Sequence, residues 1–523
     1  MDWFTKLKLN SFSAVSKVDS KGRITIPIGL RAKLRLVEGS RVKIVLEDNS
    51  LKVVPSSSWL GWCNGSIEAC GASGAGSNPA PSLTNIRLIN KKLKSGKMKL
   101  QPLKGTRDFL PEEARIRQEV LSAVKNVFET FGFQPLETPS IESWDVLAAK
   151  KGGGPEVLEE TYRFKDKSGR RVGLIYDLTV PLARVVASNP DLPLPFKRYQ
   201  IQKVWRYGDV TKGRLREFLQ CDVDIVGSES MLADAEIIAC AVAALERIGF
   251  KDFFVRINNR KILSAMLKQA GIDKKTEDVL RAVDKLEKIG ADGVKNELRK
   301  LKVPESSIRK LLELINIKGD ATILEEVKKV LGKCEGISEL EELLSFLTSM
   351  GVSERIKVDL SLARGLDYYT GPIFEISVEE GIGSIAGGGR YDKLIGILGG
   401  RDIPATGISL GIERILEVMK SRKMVEERKS SVKAFVAYPS QSLLNEVLKL
   451  VKELRSFNIS TDFDLRGRKL TRQLEYADAL KIPFVIILGE AELKKGVVRV
   501  RDMEKREEFE VKREEVVKFL SER

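Results

Sequence analysis

The chain has no histidine, where ordinary usage would place on the order of ten in 523 residues. Any mechanism that needs an imidazole base is therefore excluded. Cysteine is sparse too. The five are scattered, odd in number and form no CxxC pair, which argues against a Cys/His zinc site and for a reducing cytosol. No apolar run approaches membrane-spanning length, and the first residues, MDWFTKLKLN, do not read as a signal peptide. The expectation is a cytoplasmic protein with no membrane partner.

What is present is charge. Lys and Arg number 89 against 73 Asp and Glu, a net +16. Such an excess suits a polyanion, most simply nucleic acid. A charged, heat-adapted surface is the competing explanation, because charged residues of both signs make up 31% of the chain. The length allows several domains, and 42% hydrophobic content supplies a sizeable core.

Residues 12–56 alternate apolar and polar in short runs. RITIP and RVKIVLED read as strands, with a helical turn at GLRAKL between them. So small a unit buries little surface alone and is expected to dimerise. Residues 57–97 have neither hydrophobic period and are expected to lack a packed core. Pro111 and two glutamates begin a helical pattern after residue 98. Within 98–425, residues from about 256 to 350 read as a helical, Lys/Glu-rich insertion. From 432 to 523, strand and helix alternate in a small α/β domain with a mostly parallel sheet.

Three segments carry the chemistry. FKRYQIQKVWRYGDVTKGRLREFLQCDVDIVG, 196–227, reads as two strands around a loop bearing Arg206, Lys212, Arg214 and Arg216, with Phe218 placed to stack on a base. Arginines on such a loop can clamp phosphate bidentately, or form a basic nucleic-acid surface. SLARGLDYYTGPIFEI, 361–376, sets an arginine, an aspartate and two tyrosines before an apolar strand. SIAGGGRYDKLIGILGG with PATGISLGIERILEVM, 384–419, adds Arg390 and Arg414 around glycines that permit close backbone approach. No GxGxxG links a strand to a helix here, which excludes a Rossmann reading.

On these residues the chain from about 100 to 523 resembles the histidyl-tRNA synthetases, class II aminoacyl-tRNA synthetases. KGTRDFLPEE resembles the family's start, and FGFQPLETPSIES, with Pro139, its dimer-interface motif 1. WRYGDVTKGRLREF is similar to motif 2 and GISLGIER to motif 3. RGLDYYTG and GGGRYDKLI resemble its two histidine motifs, and TRQLEYADALKIPFVIILGE its anticodon-binding domain. The implied fold is α+β: an antiparallel-sheet catalytic core with a helical insertion, then the α/β anticodon-binding domain. The implied activity is ATP-dependent formation of histidyl-adenylate and transfer to tRNA-His by a homodimer, with Mg2+ accompanying ATP. The resemblance assigns Arg206 and Arg364 to the α-phosphate, Arg414 to the γ-phosphate and Phe218 to adenine. It places Asp177 on the α-ammonium and Gln220, Asp224, Tyr369 and Tyr391 around the imidazole, with Arg214 lining the site. Two positions depart from the family pattern. Gly208 stands where motif 2 usually has an acid, and Ile175 where an arginine often precedes YDLT.

Residues 12–56, through VDSKGRITIP, LR and EGSRVKIVLED, resemble the AbrB/MazE-type swapped-hairpin family, which is dimeric and binds DNA. Lys21, Arg23 and Arg31 are the DNA-binding candidates. Two other functions follow from these resemblances: a non-catalytic synthetase paralogue that regulates histidine biosynthesis, and a DNA-binding regulator built on 12–56. The paralogues typically lose RGLD and the anticodon domain, and both are present here.

The stretch between the two resemblances reads differently as codons. EACGAS, Glu68–Ser73, back-translates to GAR GCN TGY GGN GCN TCN, a five-base stem closing a loop with the anticodon GYG. AGSNPA, Ala75–Ala80, gives a TΨC stem and loop, and WCNGSI, Trp62–Ile67, a D-arm in register. Trp59 ends in GG, supplying the extra 5′ G of tRNA-His, and Leu83 can begin with its discriminator C. Residues 59–83 therefore look like a translated tRNA-His gene, and the chain like a read-through of three neighbouring genes with the synthetase's own start at Met98. The missing histidines add one further expectation: synthesis of this chain does not stall when charged tRNA-His is scarce.

Overall fold

The computed structural model describes residues 41–47, 50–55, 67–70 and 100–523, except 150–153, 365–367, 379–382 and 426–428. The chain divides into two units, 1–101 and 102–523.

In the first unit, β1 (Arg41–Glu47) and β2 (Ser50–Pro55) form an antiparallel hairpin, Glu47 opposite Ser50 and Val42 opposite Pro55. This matches the strand expected at RVKIVLED. RITIP, GLRAKL, Lys21, Arg23 and Arg31 lie outside the described residues. A third strand, β3 (Ile67–Cys70), pairs antiparallel with β1. Within 57–97, expected to be unstructured and without a packed core, residues 67–70 are thus a strand, and the other residues of that stretch lie outside the described residues. The free edge of a hairpin offers unpaired N–H and C=O groups that any short extended segment can take, whatever its hydrophobic period.

The second unit opens with α1 (Pro111–Thr130). Proline stands at its first turn with Glu112 and Glu113, suited to free N–H groups and to the positive end of the dipole. Ile116, Val120, Val124 and Phe128 follow at four-residue spacing, and all are buried.

The core is a nine-stranded sheet. Its strands in chain order are β4 (Gln134–Pro135), β8 (Phe196–Trp205), β9 (Glu217–Val226), β10 (Phe254–Asn259), β11 (Lys318–Gly319), β12 (Ile356–Asp359), β13 (Pro372–Ser377), β14 (Ser384–Arg390) and β15 (Ala405–Gly411). The spatial order is β11-β12-β10-β13-β14-β15-β9-β8-β4. All neighbours are antiparallel except β10 with β12 and β4 with β8. Strands β5 (Ile141–Ser143), β6 (Arg163–Lys165) and β7 (Arg171–Leu174) form a small separate sheet. Helix α2 (Thr179–Ser188) follows it, and α3 (Met231–Arg247) packs against β9, β14 and β15.

The helical insertion runs from Arg260 to Ser349, apart from the two residues of β11. The expected start near 256 is thus corrected. Phe254–Asn259 is a strand of the core sheet, because Val255 and Ile257 alternate with Arg256 and Asn258 and pair with β12 and β13. Arg256 hid this pattern: it is buried in ion pairs with Asp359 (3.0 Å) and Glu375 (3.7 Å).

After α4 (Ile412–Ser421), the C-terminal domain has five strands: β16 (Ala434–Ala437), β17 (Thr461–Phe463), β18 (Phe484–Ile487), β19 (Val497–Asp502) and β20 (Glu507–Lys512), in the order β17-β16-β18-β19-β20. Parallel pairs join β16 to β17 and β18, while β18-β19-β20 are antiparallel. The sheet is therefore mixed rather than mostly parallel. The four residues between β19 and β20 are too few for a crossover and make a hairpin instead.

Candidate active site

Alternation along β9 builds the floor of the site. Leu219, Cys221, Val223 and Ile225 face the main hydrophobic core, so Phe218, Gln220, Asp222 and Asp224 face the other way. Register extends this polar face sideways, because directly opposed residues share a face. Asp224 opposes Arg198 on β8 and Gly407 on β15. Asp222 opposes Gln200 and Ser409, and the row continues through Gly387 to Glu375 and Arg256.

The floor is buried and holds an ion pair. Arg198 and Asp224 pair at 2.7 Å, and the hydroxyl of Tyr391 donates to the other oxygen of Asp224. Burial raises the Asp224 carboxyl, against the pull of Arg198 and Tyr391. Gln220 donates to the Ser409 hydroxyl at 2.7 Å. Asp177 is 3% exposed. Its Oδ1 accepts from the Val180 amide at 3.1 Å at the start of α2, and Oδ2 has no hydrogen-bond partner. Burial pushes the Asp177 carboxyl up to about 6, opposed by the Val180 amide, Arg206 and Arg198. Tyr369 stacks edge-on with Tyr368, 4.8 Å between centroids, and Tyr368 reaches Tyr391 at 5.8 Å.

Two glycines are required by these contacts. A β-carbon on Gly407 would lie 2.0 Å from Asp224 Oδ1, and one on Gly387 would lie 1.9 Å from the Arg364 guanidinium. Glycine on these two neighbouring strands, β14 and β15, thus lets side chains cross the sheet face where any other residue would block them. Arg364 itself has φ +51, the left-handed region that non-glycine residues seldom occupy, and pairs with Glu375 at 3.1 Å.

The arginines converge. Arg206 donates from Nε to the Tyr176 carbonyl at 2.8 Å, and its guanidinium lies 5.4 Å from the Phe218 ring centroid. Arg414 donates to the Ser384 carbonyl at 2.5 Å. Burial and the neighbouring charges of Arg214, Arg364 and Arg206 hold Arg414 below the usual arginine value, with Glu375 opposing. Like charges that weigh on one another in this way favour a bound anion.

The structure thus brings together Asp177, Arg206, Arg214, Phe218, Gln220, Asp224, Arg364, Tyr369, Tyr391 and Arg414. It leaves others out. Arg390 is 3% exposed and tied to Asp234 and the carbonyls of Ser228 and Ser230, a structural clamp. Lys212 is exposed, and Arg216 stacks on Tyr207 at 3.7 Å.

Both departures have local reasons. Ile175 is fully buried among Leu147, Tyr176, Leu178, Val180 and Val204, a cluster with no room for a charge. At Gly208 a β-carbon would meet Glu160 Oε1 at 2.8 Å. A carboxylate from elsewhere already occupies that place, 3.9 Å from Arg214. Sequence reasoning missed Arg198, Asp222, Glu160, Ser409 and Glu375. The alternation QCDVD was a signal for Asp222; the others depend on register and tertiary contact.

Comparison with known proteins agrees with this geometry. A family model described as histidyl-tRNA synthetase matches residues 105–415, and one described as anticodon binding domain matches 433–523. A third, described as antidote-toxin recognition MazE, bacterial antitoxin, matches 15–60. The chain is similar to the histidine–tRNA ligase of Aeropyrum pernix, 42% identical over 425 residues, covering 80% of this chain and 97% of that one. It is 39% identical to that of Clostridium tetani over 433 residues, again 80% and 97%. Among solved structures, the histidyl-tRNA synthetase of Nostoc sp. superposes with a TM-score of 0.71 at 31% identity, covering 82% of this chain and all of that one. The chain belongs to the histidyl-tRNA synthetase family and is an aminoacyl-tRNA ligase that joins histidine to its tRNA.

Proposed function

We propose the following division of labour. Arg206 and Arg364 hold the α-phosphate from two sides, with Arg206 also meeting the histidine carboxylate. Arg414 holds the γ-phosphate, Arg214 lines the site and Phe218 stacks on adenine. Asp177 takes the α-ammonium, and Gln220, Asp224, Tyr369 and Tyr391 surround the ring. A carboxylate oxygen of histidine attacks the α-phosphorus, and the bond to the bridging oxygen breaks to release pyrophosphate. The terminal ribose hydroxyl of tRNA-His then attacks the adenylate carbonyl, and AMP leaves. Neither step needs an imidazole from the protein, because positioning and charge stabilisation supply the rate. The observation that carries this reading is the convergence of Arg206, Arg214, Arg364 and Arg414. Histidine-dependent exchange of pyrophosphate into ATP tests it: the wild type exchanges, and an enzyme without that exchange refutes the assignment.

Among the described residues no cluster of three acids or cysteines could hold a metal. Mg2+ would therefore come with ATP, held mainly by its phosphates and water, where it would neutralise charge on the leaving pyrophosphate. Among the described residues no helix is long and apolar enough to cross a membrane. A cytoplasmic homodimer fits the family, the free Cys221, Cys240 and Cys334 among the described residues, and the place of β4 at the sheet edge. Sedimentation of the purified chain checks the dimer. DNA binding by residues 12–56 rests on the basic residues there, and a gel shift with promoter DNA tests it.

A further inference from the structure

Asp222 takes no part in that division of labour, yet it stands between Gln220 and Asp224 on the site face of β9 and is 3% exposed. The Ser409 hydroxyl bonds to it, and its Oδ1 has no hydrogen-bond partner. Asp177 Oδ2, Gln200 Oε1 and Gln220 Oε1 are in the same condition. Asp224 Oδ2 meets Arg198 only as an ion pair, so five buried acceptors stand against two unpartnered donors, Nε and Nη1 of Arg198. Buried acceptors are seldom left unmet, so the floor is short of N–H groups.

Charge leads to the same place. The groups facing Asp222 or its neighbours are Asp177, Arg198, Asp224, Arg206, Tyr368, Tyr369 and Tyr391. Arg198 is matched to Asp224, and Arg206 is assigned to phosphate. Asp177 and Asp222 remain without a cation. The α-ammonium answers Asp177. A neutral ring brings one N–H, whereas an imidazolium brings two and a positive charge.

Resting on the histidine assignment above, we propose that the site binds histidine with its ring protonated, and that Asp222 is the carboxylate that holds the charge. Burial, with the repulsion of Asp224 and Asp177, raises the Asp222 carboxyl against the pull of Arg198, and a ring cation beside it would offset both effects.

Calorimetric titration of histidine at pH 8, in two buffers of different ionisation heat, tests this. About one proton should be taken up, since the free ring has a pKa of about 6.5. Asp222→Asn should abolish the uptake and raise KM for histidine at least tenfold, leaving KM for ATP unchanged. Independently of any variant, the wild-type KM for histidine should climb between pH 7 and pH 9. A flat profile with no proton taken up overturns the proposal while leaving the site assignment standing. Absence of histidine-dependent exchange would instead refute the assignment itself.

A different observation carries a second inference, about the segment that the enzymatic reading does not absorb. The curated relatives are matched almost end to end by about four-fifths of this chain, and the second unit begins only at Pro102. Codons explain part of the remainder. Beyond the anticodon, TΨC and D arms, the last base of Trp59 with Leu60 as CTN and Gly61 as GGN spells G-C-T-N-G-G-N. The last base of Ala80 with Pro81 as CCN and Ser82 as AGC spells N-C-C-N-A-G-C. With these codons five of the seven opposed positions pair, and the two third-codon positions can pair as well, which makes an acceptor stem. That stem leaves the extra G of Trp59 opposite the C that can begin Leu83.

We infer that the DNA behind residues 59–83 is the gene for this enzyme's own tRNA substrate, and that the cell translates the enzyme from Met98. The nucleotide sequence is the first test. Cys70 should be TGT, giving the anticodon GUG, Leu60 should be CTN and Ser82 AGC. TGC, TTR or TCN at these positions overturns the inference. The intact mass of the protein from its source cells is the second. Met98–Arg523 supports the inference, and a mass near 58.3 kDa refutes the start.

Discussion

Arg198 and Asp224 face each other across adjacent strands at 2.7 Å, with side-chain exposures of 0% and 4%. Arg198 also donates to the Leu178 carbonyl at 3.2 Å. A wholly buried pair beneath a ligand site orients its carboxylate, and the protein depends on keeping both partners. Arg198→Met should leave Asp224 without its cation and destabilise the fold by about 3–5 kcal/mol. Chemical denaturation, alongside KM for histidine, measures both losses.

Arg206→Ala and Arg364→Ala should each lower kcat for pyrophosphate exchange by roughly 10²–10³, the scale seen when one preorganised donor is removed. The fold should persist, since both side chains face the site and not the core. Circular dichroism checks that.

Gly208→Asp would set a second carboxylate against Glu160. Like charges in contact should misplace Arg214 and lower kcat/KM for ATP by about tenfold, or ~1.4 kcal/mol in the barrier. Adding Glu160→Gln should restore most of the activity. A loss that persists in the double variant would show that crowding against residue 160, not charge, is responsible.

Gly407→Ala would drive a methyl into Asp224 Oδ1. KM for histidine should rise at least tenfold while KM for ATP stays near the wild-type value. Steady-state kinetics in each substrate separates the two.

The buried acids predict a pH dependence of stability. Asp177 is raised to about 6 from about 3.9 in an unfolded chain, and Asp222 is raised as well. The native state therefore binds more protons than the unfolded state, and stability falls as pH rises through this window. The ligand-free enzyme should have a higher Tm at pH 5 than at pH 8. Saturating histidine, whose α-ammonium compensates Asp177, should flatten that slope. Thermal melts at both pH values, with and without histidine, check it.

Much of this protein was legible in its sequence because the site is built from contiguous strand-and-loop segments. The ten-residue strands on either side of the 206–216 loop, and the two tyrosines at 368–369 just before an apolar strand, fall where their local pattern places them. Alternation along β9 even put Gln220, Asp222 and Asp224 on one face. Local chemistry of this kind needs no partner to be read.

The tertiary structure decided what depends on register and on distant residues. Only pairing between β8, β9 and β15 shows that Arg198, Asp224 and Gly407 share one place, because a slip of one residue would turn every side chain to the opposite face. Only packing shows that Arg390 is a clamp on Asp234, that Arg256 belongs to a core strand, and that Glu160 fills the space left by Gly208. A sequence determines which groups alternate along a strand. Which charges are matched, and which wait for a ligand, is settled by contacts between residues far apart in the chain.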